Sequence, residues 1–268
     1  MTALPLIAEP SALAQVLDQD DLLVLDLRAE ENYLDGHIPN ALRFELSDVV
    51  RSESPVGGLL ADEAAVSAAL STVGYNGSQH IVAVDDNGGP QACRLIWTLE
   101  AYGIDRCSLL NGGMAAWKGE IEALDSTPEQ AEPSGYQAHL KGDNAMTKDE
   151  MLERLDDTQL QIIDARSKGE YEGSDVRSDR GGHIPGAIHL EWTDLKDSCN
   201  LKFKPAQELQ AIVEQAGIQR SKDCVAYCQT HMRSSVVYIA LKSLGYELVK
   251  GYPGAWSDWG NDPNTPIA

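Results

Sequence analysis

Short apolar runs alternate with helical patterns along the whole chain. Ile81-Val82-Ala83-Val84 and Cys224-Val225-Ala226-Tyr227 are continuous apolar stretches of strand length, the pattern of strands buried on both faces. Leu23-Val24-Leu25 and Gln161-Ile162-Ile163 read as further strands, each ended by an aspartate, Asp26 or Asp164. The stretch from Ser234 to Leu244 reads as a helix that stops at Gly245, and an earlier helical stretch closes at Gly103. Met146-Thr147 followed by Lys148-Asp149-Glu150 reads as an N-capped helix start. This alternation predicts an α/β fold with a parallel sheet flanked by helices. In such sheets, ligands bind beyond the carboxyl ends of the strands.

The pattern occurs twice. Asp26-Leu27-Arg28, Tyr33 and His37-Ile38-Pro39-Asn40-Ala41 match Asp164-Ala165-Arg166, Tyr171 and His183-Ile184-Pro185-Gly186-Ala187. Gly112-Gly113-Met114-Ala115-Ala116-Trp117 matches Gly251-Tyr252-Pro253-Gly254-Ala255-Trp256. Asp26 and Asp164 lie 138 residues apart, Asp85 and Cys228 143, Trp117 and Trp256 139. Such near-constant offsets indicate tandem copies of one domain. The expected organisation is a first domain over 1–124, a linker over 125–144 rich in Pro, Ser, Glu and Gly, and a second domain over 145–268.

Composition narrows the function classes. The formal net charge is −21, so nucleic acid and anionic membrane are not expected partners. No apolar run is long enough to span a bilayer, and the start of the chain lacks a basic n-region and a long apolar h-region. The five cysteines are unevenly spaced, with no Cys-x-x-Cys pair and no histidine cluster. This argues against a disulfide framework and a zinc site, and for a reducing, cytoplasmic location. No metal or organic cofactor is expected.

Cys228 is the candidate for chemistry. It ends the strand Asp223–Tyr227, and Gln229-Thr230-His231-Met232-Arg233 carry the chain into the next helix. Loop amides and a helix N-terminus converge at such a turn and favour a thiolate, the nucleophilic form. A buried structural cysteine is the alternative, and it is the reading for Cys224 in the same strand. Arg233 is the loop's permanent cation, suited to an anionic substrate, and His231 is a candidate second charge. In the first copy Asp85 takes the place of Cys228 and reads as a cap on the following turn. The paired Asp26/Arg28 and Asp164/Arg166, and His37 and His183, recur in both copies and read as fold maintenance. Trp192, Trp256 and Trp259 read as core.

Together the Cys228 loop, the Tyr171…Gly182-His183-Ile184-Pro185-Gly186-Ala187 motif and Val249-Lys250-Gly251-Tyr252-Pro253-Gly254-Ala255-Trp256-Ser257-Asp258-Trp259 resemble the rhodanese (sulfurtransferase) family over nearly the whole chain. The loop is similar to the Cys-Gln-Thr-His-x-Arg form of some bacterial rhodaneses. The resemblance implies two tandem rhodanese-like domains, the first inactive and the second catalytic. It implies Cys228 as the nucleophile, with Gln229, Thr230, His231, Met232 and Arg233 around the substrate. The implied reaction moves sulfane sulfur from a small anionic donor, thiosulfate, to cyanide, a thiol or a protein acceptor through a Cys228 persulfide. 3-Mercaptopyruvate as donor and a persulfide carrier are the alternatives. Phosphatases of the same fold place five residues between Cys and Arg; here there are four, a cradle better sized for one sulfur than for a phosphate.

Overall fold

The computed structural model describes residues 4–86 and 88–268. They form two compact units, each built on its own parallel sheet. The first unit comprises the residues up to Val50, Ala61–Lys141 and Ser198–Lys202. Its strands run in the order Ile7–Ala8, Cys107–Leu110, His80–Val84, Leu22–Asp26 and Leu42–Arg43, every neighbouring pair parallel. The second unit comprises Arg51–Leu60, Gly142–Asp197 and Phe203–Ala268. Its strand order is Val249–Gly251, Asp223–Tyr227, Leu160–Asp164 and Ile188–His189, again all parallel. Ala145 adds a parallel bridge to Gly251 at the outer edge. Each unit thus includes a short segment from the other half of the sequence, a feature that the repeat alone does not reveal.

The continuous apolar runs become central strands because helices cover both faces of each sheet. His80–Val84 is buried along its whole length, and Asp223–Tyr227 is buried from Cys224 onward. Equivalent positions form the two cores: Val24, Ile38 and Trp117 in the first, Ile162, Ile184 and Trp259 in the second. The structure pairs Trp117 with Trp259 rather than with Trp256, as each indole N–H donates to a downstream carbonyl, Ala123 O or Pro266 O, at 2.7 Å. Trp256 joins the second core, while Trp192 is half-buried. Helix Ser234–Ser243 ends where expected. Gly245 takes φ +79, and its N–H and that of Tyr246 donate to the carbonyls of Lys242 and Leu241 at 2.9 and 3.0 Å, closing the last turn as a left-handed glycine does. Thr147 caps helix Lys148–Glu153 in a reciprocal capping box with Glu150.

The stretch 125–144 contains no helix. Much of it is tied along the first unit: Asp125 exchanges backbone hydrogen bonds with His37 at 2.8 and 2.9 Å, and Lys141 N–H donates to Ala101 O at 2.8 Å.

The repeated polar pairs are buried struts. Arg28 Nε and Nη2 donate to the Asp26 carboxylate at 2.9 and 2.7 Å, and Nη2 also donates to Gly36 O at 2.8 Å. Arg166, Asp164 and Gly182 repeat this arrangement at 2.9, 2.6 and 2.7 Å. His37 Nδ1 lies 2.8 Å from Tyr33 O with the rings stacked, and His183 does the same with Tyr171 at 2.9 Å. Removing one partner of a buried pair strands the other charge, at a cost of about 3–5 kcal/mol. Arg28→Ala is therefore expected to lower the stability of the first unit by that amount in equilibrium urea unfolding. A loss below about 1 kcal/mol would show that Asp26 does not depend on its partner.

Candidate active site

Strand Asp223–Tyr227 delivers Cys228 to its carboxyl end, and helix Ser234–Ser243 begins six residues later. The first amides of a helix have no acceptor within it, so the turn faces the cysteine with donors and the positive end of the helix dipole. Cys228 is 1% exposed. The tryptophan turn pins the loop from behind: Trp256 N–H donates to Cys228 O and Ser257 N–H to Gln229 O, both at 2.9 Å. The Trp256 ring lies under Arg166, 4.3 Å from the guanidinium carbon, which ties the Cys228 turn to the Asp164–Arg166 strut.

Around the loop, Gln229 Nε2 donates to Ser178 Oγ at 3.1 Å. Thr230 and Met232 are half-buried. His231 has φ +56 and is fully buried, its Nδ1 2.7 Å from Ser234 Oγ. The structure therefore puts His231 inside the turn rather than on a surface open to solvent.

Arg233 is the central cation. Its Nη1 and Nη2 donate to the two carboxylate oxygens of Glu170 at 2.6 and 2.8 Å. Burial works against its charge, but the bonds to Glu170 outweigh burial and raise its pKa. Glu170 is itself buried. Burial would raise its pKa; the Arg233 pairing and the hydrogen bonds from Ser167 override this and hold it at about 2. Glu170 reaches this place as the third residue of a capping box on helix Lys168–Tyr171. In the sequence Glu170 is noticeable for standing where some rhodaneses have a substrate-binding arginine, but its pairing with Arg233, 63 residues away, cannot be read from local motifs.

The first copy has the same turn with a carboxylate inside it. Asp85 Oδ1 accepts from Gly89 N–H at 2.9 Å, and Oδ2 from Gln91 and Ala92 N–H at 3.0 and 3.1 Å. Its carbonyl accepts from Met114 N–H at 2.9 Å, as that of Cys228 accepts from Trp256. Cys224 differs from Cys228 in kind: burial pushes its thiol up to about 12, the behaviour of an inert core cysteine. Among the described residues no group of acidic, histidine or cysteine side chains could hold a metal ion, and no helix is long and apolar enough to cross a membrane.

The Rhodanese-like domain matches this chain twice, over residues 9–120 and 147–262. The chain belongs to the rhodanese family. Similar curated proteins include the thiosulfate sulfurtransferase of Pseudomonas aeruginosa, 36% identical over 98% of this chain and 97% of the relative. The 3-mercaptopyruvate sulfurtransferase of Escherichia coli is 29% identical over 95% of each. Among solved structures, the 3-mercaptopyruvate sulfotransferase SseA of Escherichia coli superposes with a TM-score of 0.82 at 28% identity, covering 94% of this chain and 99% of that one. The two tandem α/β domains expected from the sequence are those of a two-domain rhodanese.

The Glu170 pairing sets a pH dependence for this rhodanese. A carboxylate whose folded pKa is pulled from 4.5 to about 2 adds stability that is fully present above the unfolded value and is lost as pH falls toward the folded one. The thermal midpoint of the wild type should therefore exceed that of Glu170→Gln at pH 7, and the gap should close between about pH 4.5 and pH 2. A gap that stays constant on acidification would contradict the pairing.

Proposed function

We propose that this chain is a sulfurtransferase that takes the sulfane sulfur of thiosulfate onto Cys228 and passes it to a thiophilic acceptor. One contrast carries the reading. Cys228 ends its strand in the loop that Arg233 closes, with Arg233 held in place by Glu170, whereas the same turn of the first copy is filled by the Asp85 carboxylate. A carboxylate cannot carry sulfane sulfur, so the chemistry belongs to the second unit.

In the first half-reaction the Cys228 thiolate attacks the outer sulfur of thiosulfate. A sulfur–sulfur bond forms, the bond to the central sulfur breaks, and sulfite leaves with its electron pair. The persulfide retains the negative charge, which the turn's donors and Arg233 stabilise before and after transfer. In the second half-reaction a nucleophile such as cyanide or a thiolate takes the outer sulfur, and Cys228 returns as thiolate. This is ping-pong covalent catalysis, needing neither metal nor organic cofactor. Gln229, Thr230, His231 and Met232 shape the loop around the sulfur. The near-complete burial of Cys228 favours a small acceptor over a bulky protein surface. Five free cysteines support a reducing, cytoplasmic setting.

Thiosulfate is the favoured donor because its reactive sulfur is terminal and the rest of the dianion can face Arg233. 3-Mercaptopyruvate is bulkier, with its carboxylate set away from the sulfur. The 36% identity to the Pseudomonas thiosulfate sulfurtransferase supports the same choice. Side-by-side steady-state kinetics are expected to give the higher kcat/KM for thiosulfate; a clear preference for mercaptopyruvate would reverse the donor while leaving the Cys228 step in place.

Incubation with thiosulfate should add the mass of one sulfur atom to the wild type, and cyanide should remove it. Cys228→Ser should gain none while keeping its fold; a sulfur adduct on that variant would exclude Cys228 as the nucleophile. Arg233→Ala loses charge-assisted bonds worth about 1.5–3 kcal/mol, so kcat/KM for thiosulfate should fall about 10- to 150-fold. That variant also strands Glu170, so Arg233→Ala combined with Glu170→Gln is the cleaner comparison. Wild-type kinetics in the double variant would reduce Arg233 to a structural residue.

A further inference from the structure

A hairpin that originates in the first copy braces the catalytic loop. Val50–Glu53 and Val56–Leu60 form a two-stranded sheet, and Arg51–Leu60 belongs to the second unit. Gly57 N–H donates to Ser257 Oγ at 2.9 Å, while Ser257 Oγ donates to Gly254 O at 2.8 Å. At Gly58 the chain takes φ +72, and a Cβ there would lie 2.1 Å from Thr230 O and 2.8 Å from its carbonyl carbon. No L side chain fits that space without moving the loop backbone, and the left-handed φ adds its own penalty.

Three successive loop carbonyls are thus faced from one wall: Cys228 O by Trp256 N–H, Gln229 O by Ser257 N–H, and Thr230 O by the Gly58 backbone. In a trans peptide the carbonyl of one residue and the N–H of the next point in opposite directions. Holding these carbonyls against the wall turns the N–H groups of Gln229, Thr230 and His231 the other way, into the turn that Cys228 opens. The first unit offers a control. Leu201 stands 143 residues after Gly58, the offset that relates Asp85 to Cys228. It also has a left-handed φ of +58, and it packs on the Asp85 loop, where a Cβ at Gly88 would meet Leu201 Cβ at 3.3 Å. The inactive loop accommodates a leucine; the loop of Cys228 is met by a bare backbone.

We propose that Gly58 is a positioning residue for sulfur transfer: its close approach to Thr230 O, with Gly57 anchored on Ser257, fixes the direction of the loop amides that cradle the Cys228 sulfur. This rests on the sulfurtransferase reading above. The test is the rate of persulfide formation at saturating thiosulfate, followed by intact mass on the full chain, for Gly58→Ala, Gly57→Ala, Thr230→Ser and the Gly57→Ala/Thr230→Ser pair. Displacement of a catalytic group by an ångström can cost about 100-fold, and Gly58→Ala is expected to slow the step by about 10- to 100-fold. The backbone clash and the left-handed φ also lower its thermal midpoint, so the rate is read well below that midpoint, where the variant is folded. A Cβ on Gly57 would crowd Thr230 Cγ2 at 3.1 Å, with Ser52 Oγ at an ordinary 3.7 Å, so Gly57→Ala should show a smaller loss. Thr230→Ser removes that methyl and should restore the rate of the pair to that of Thr230→Ser alone. If Gly58→Ala does not fold, the Gly57 pair decides. Wild-type rates in both glycine variants, or a Gly57→Ala defect that Thr230→Ser does not relieve, would overturn the proposal. Failure of the wild type to gain sulfur at all would instead strike the sulfurtransferase reading.

Discussion

The second unit turns on the cradle at the carboxyl end of its central parallel strand, where Cys228 sits. The strand–loop–helix turn supplies backbone donors and a helix N-terminus, and such a turn calls for an anion. The first copy satisfies it permanently, with the Asp85 carboxylate accepting from Gly89, Gln91 and Ala92. The second places Cys228 there, which in the proposed reaction alternates between thiolate and persulfide. On that proposal, one fold holds a fixed anion in one copy and an exchangeable one in the other. The Asp–Arg struts and the histidine–tyrosine stacks are the same in both copies because they serve the sheet rather than the chemistry.

The net charge of −21 opposes an anionic donor at long range, but salt screens that field within about 8–10 Å. What counts is the local arrangement. Glu170 binds both terminal nitrogens of Arg233 and so spends part of its charge, yet it also fixes the guanidinium beside Cys228. A free arginine would bind an anion more strongly but sample many rotamers. The pairing exchanges attraction for orientation, an exchange that suits a transition state with charge spread along a line of sulfur atoms.

Much of this was legible in the sequence, and for identifiable reasons. Strands such as Ile81–Val84 announce themselves by continuous apolar runs, and the two copies by offsets of 138 to 143 residues. Cys228 stood out because strand, loop and helix signals meet there. What stayed hidden is non-local. The Glu170–Arg233 pair joins residues far apart in sequence, and Gly57 and Gly58 lie in a segment that the repeat assigns to the first copy but the fold gives to the second. His231 is a candidate second charge for the donor from its residue type, because an unperturbed histidine titrates at about pH 6.5; its burial is not legible there. Its left-handed backbone and its contact with Ser234 turn it inward, and neither can be read from residue type.

The most direct test of where the exchangeable anion resides is peptide mapping by mass spectrometry after brief exposure of the full chain to thiosulfate. The account predicts one added sulfur, carried on the peptide that contains Cys228 and on no peptide containing Cys93, Cys107 or Cys199, with fragmentation excluding Cys224. Sulfur found on any of those four cysteines, with Cys228 unmodified, would contradict it.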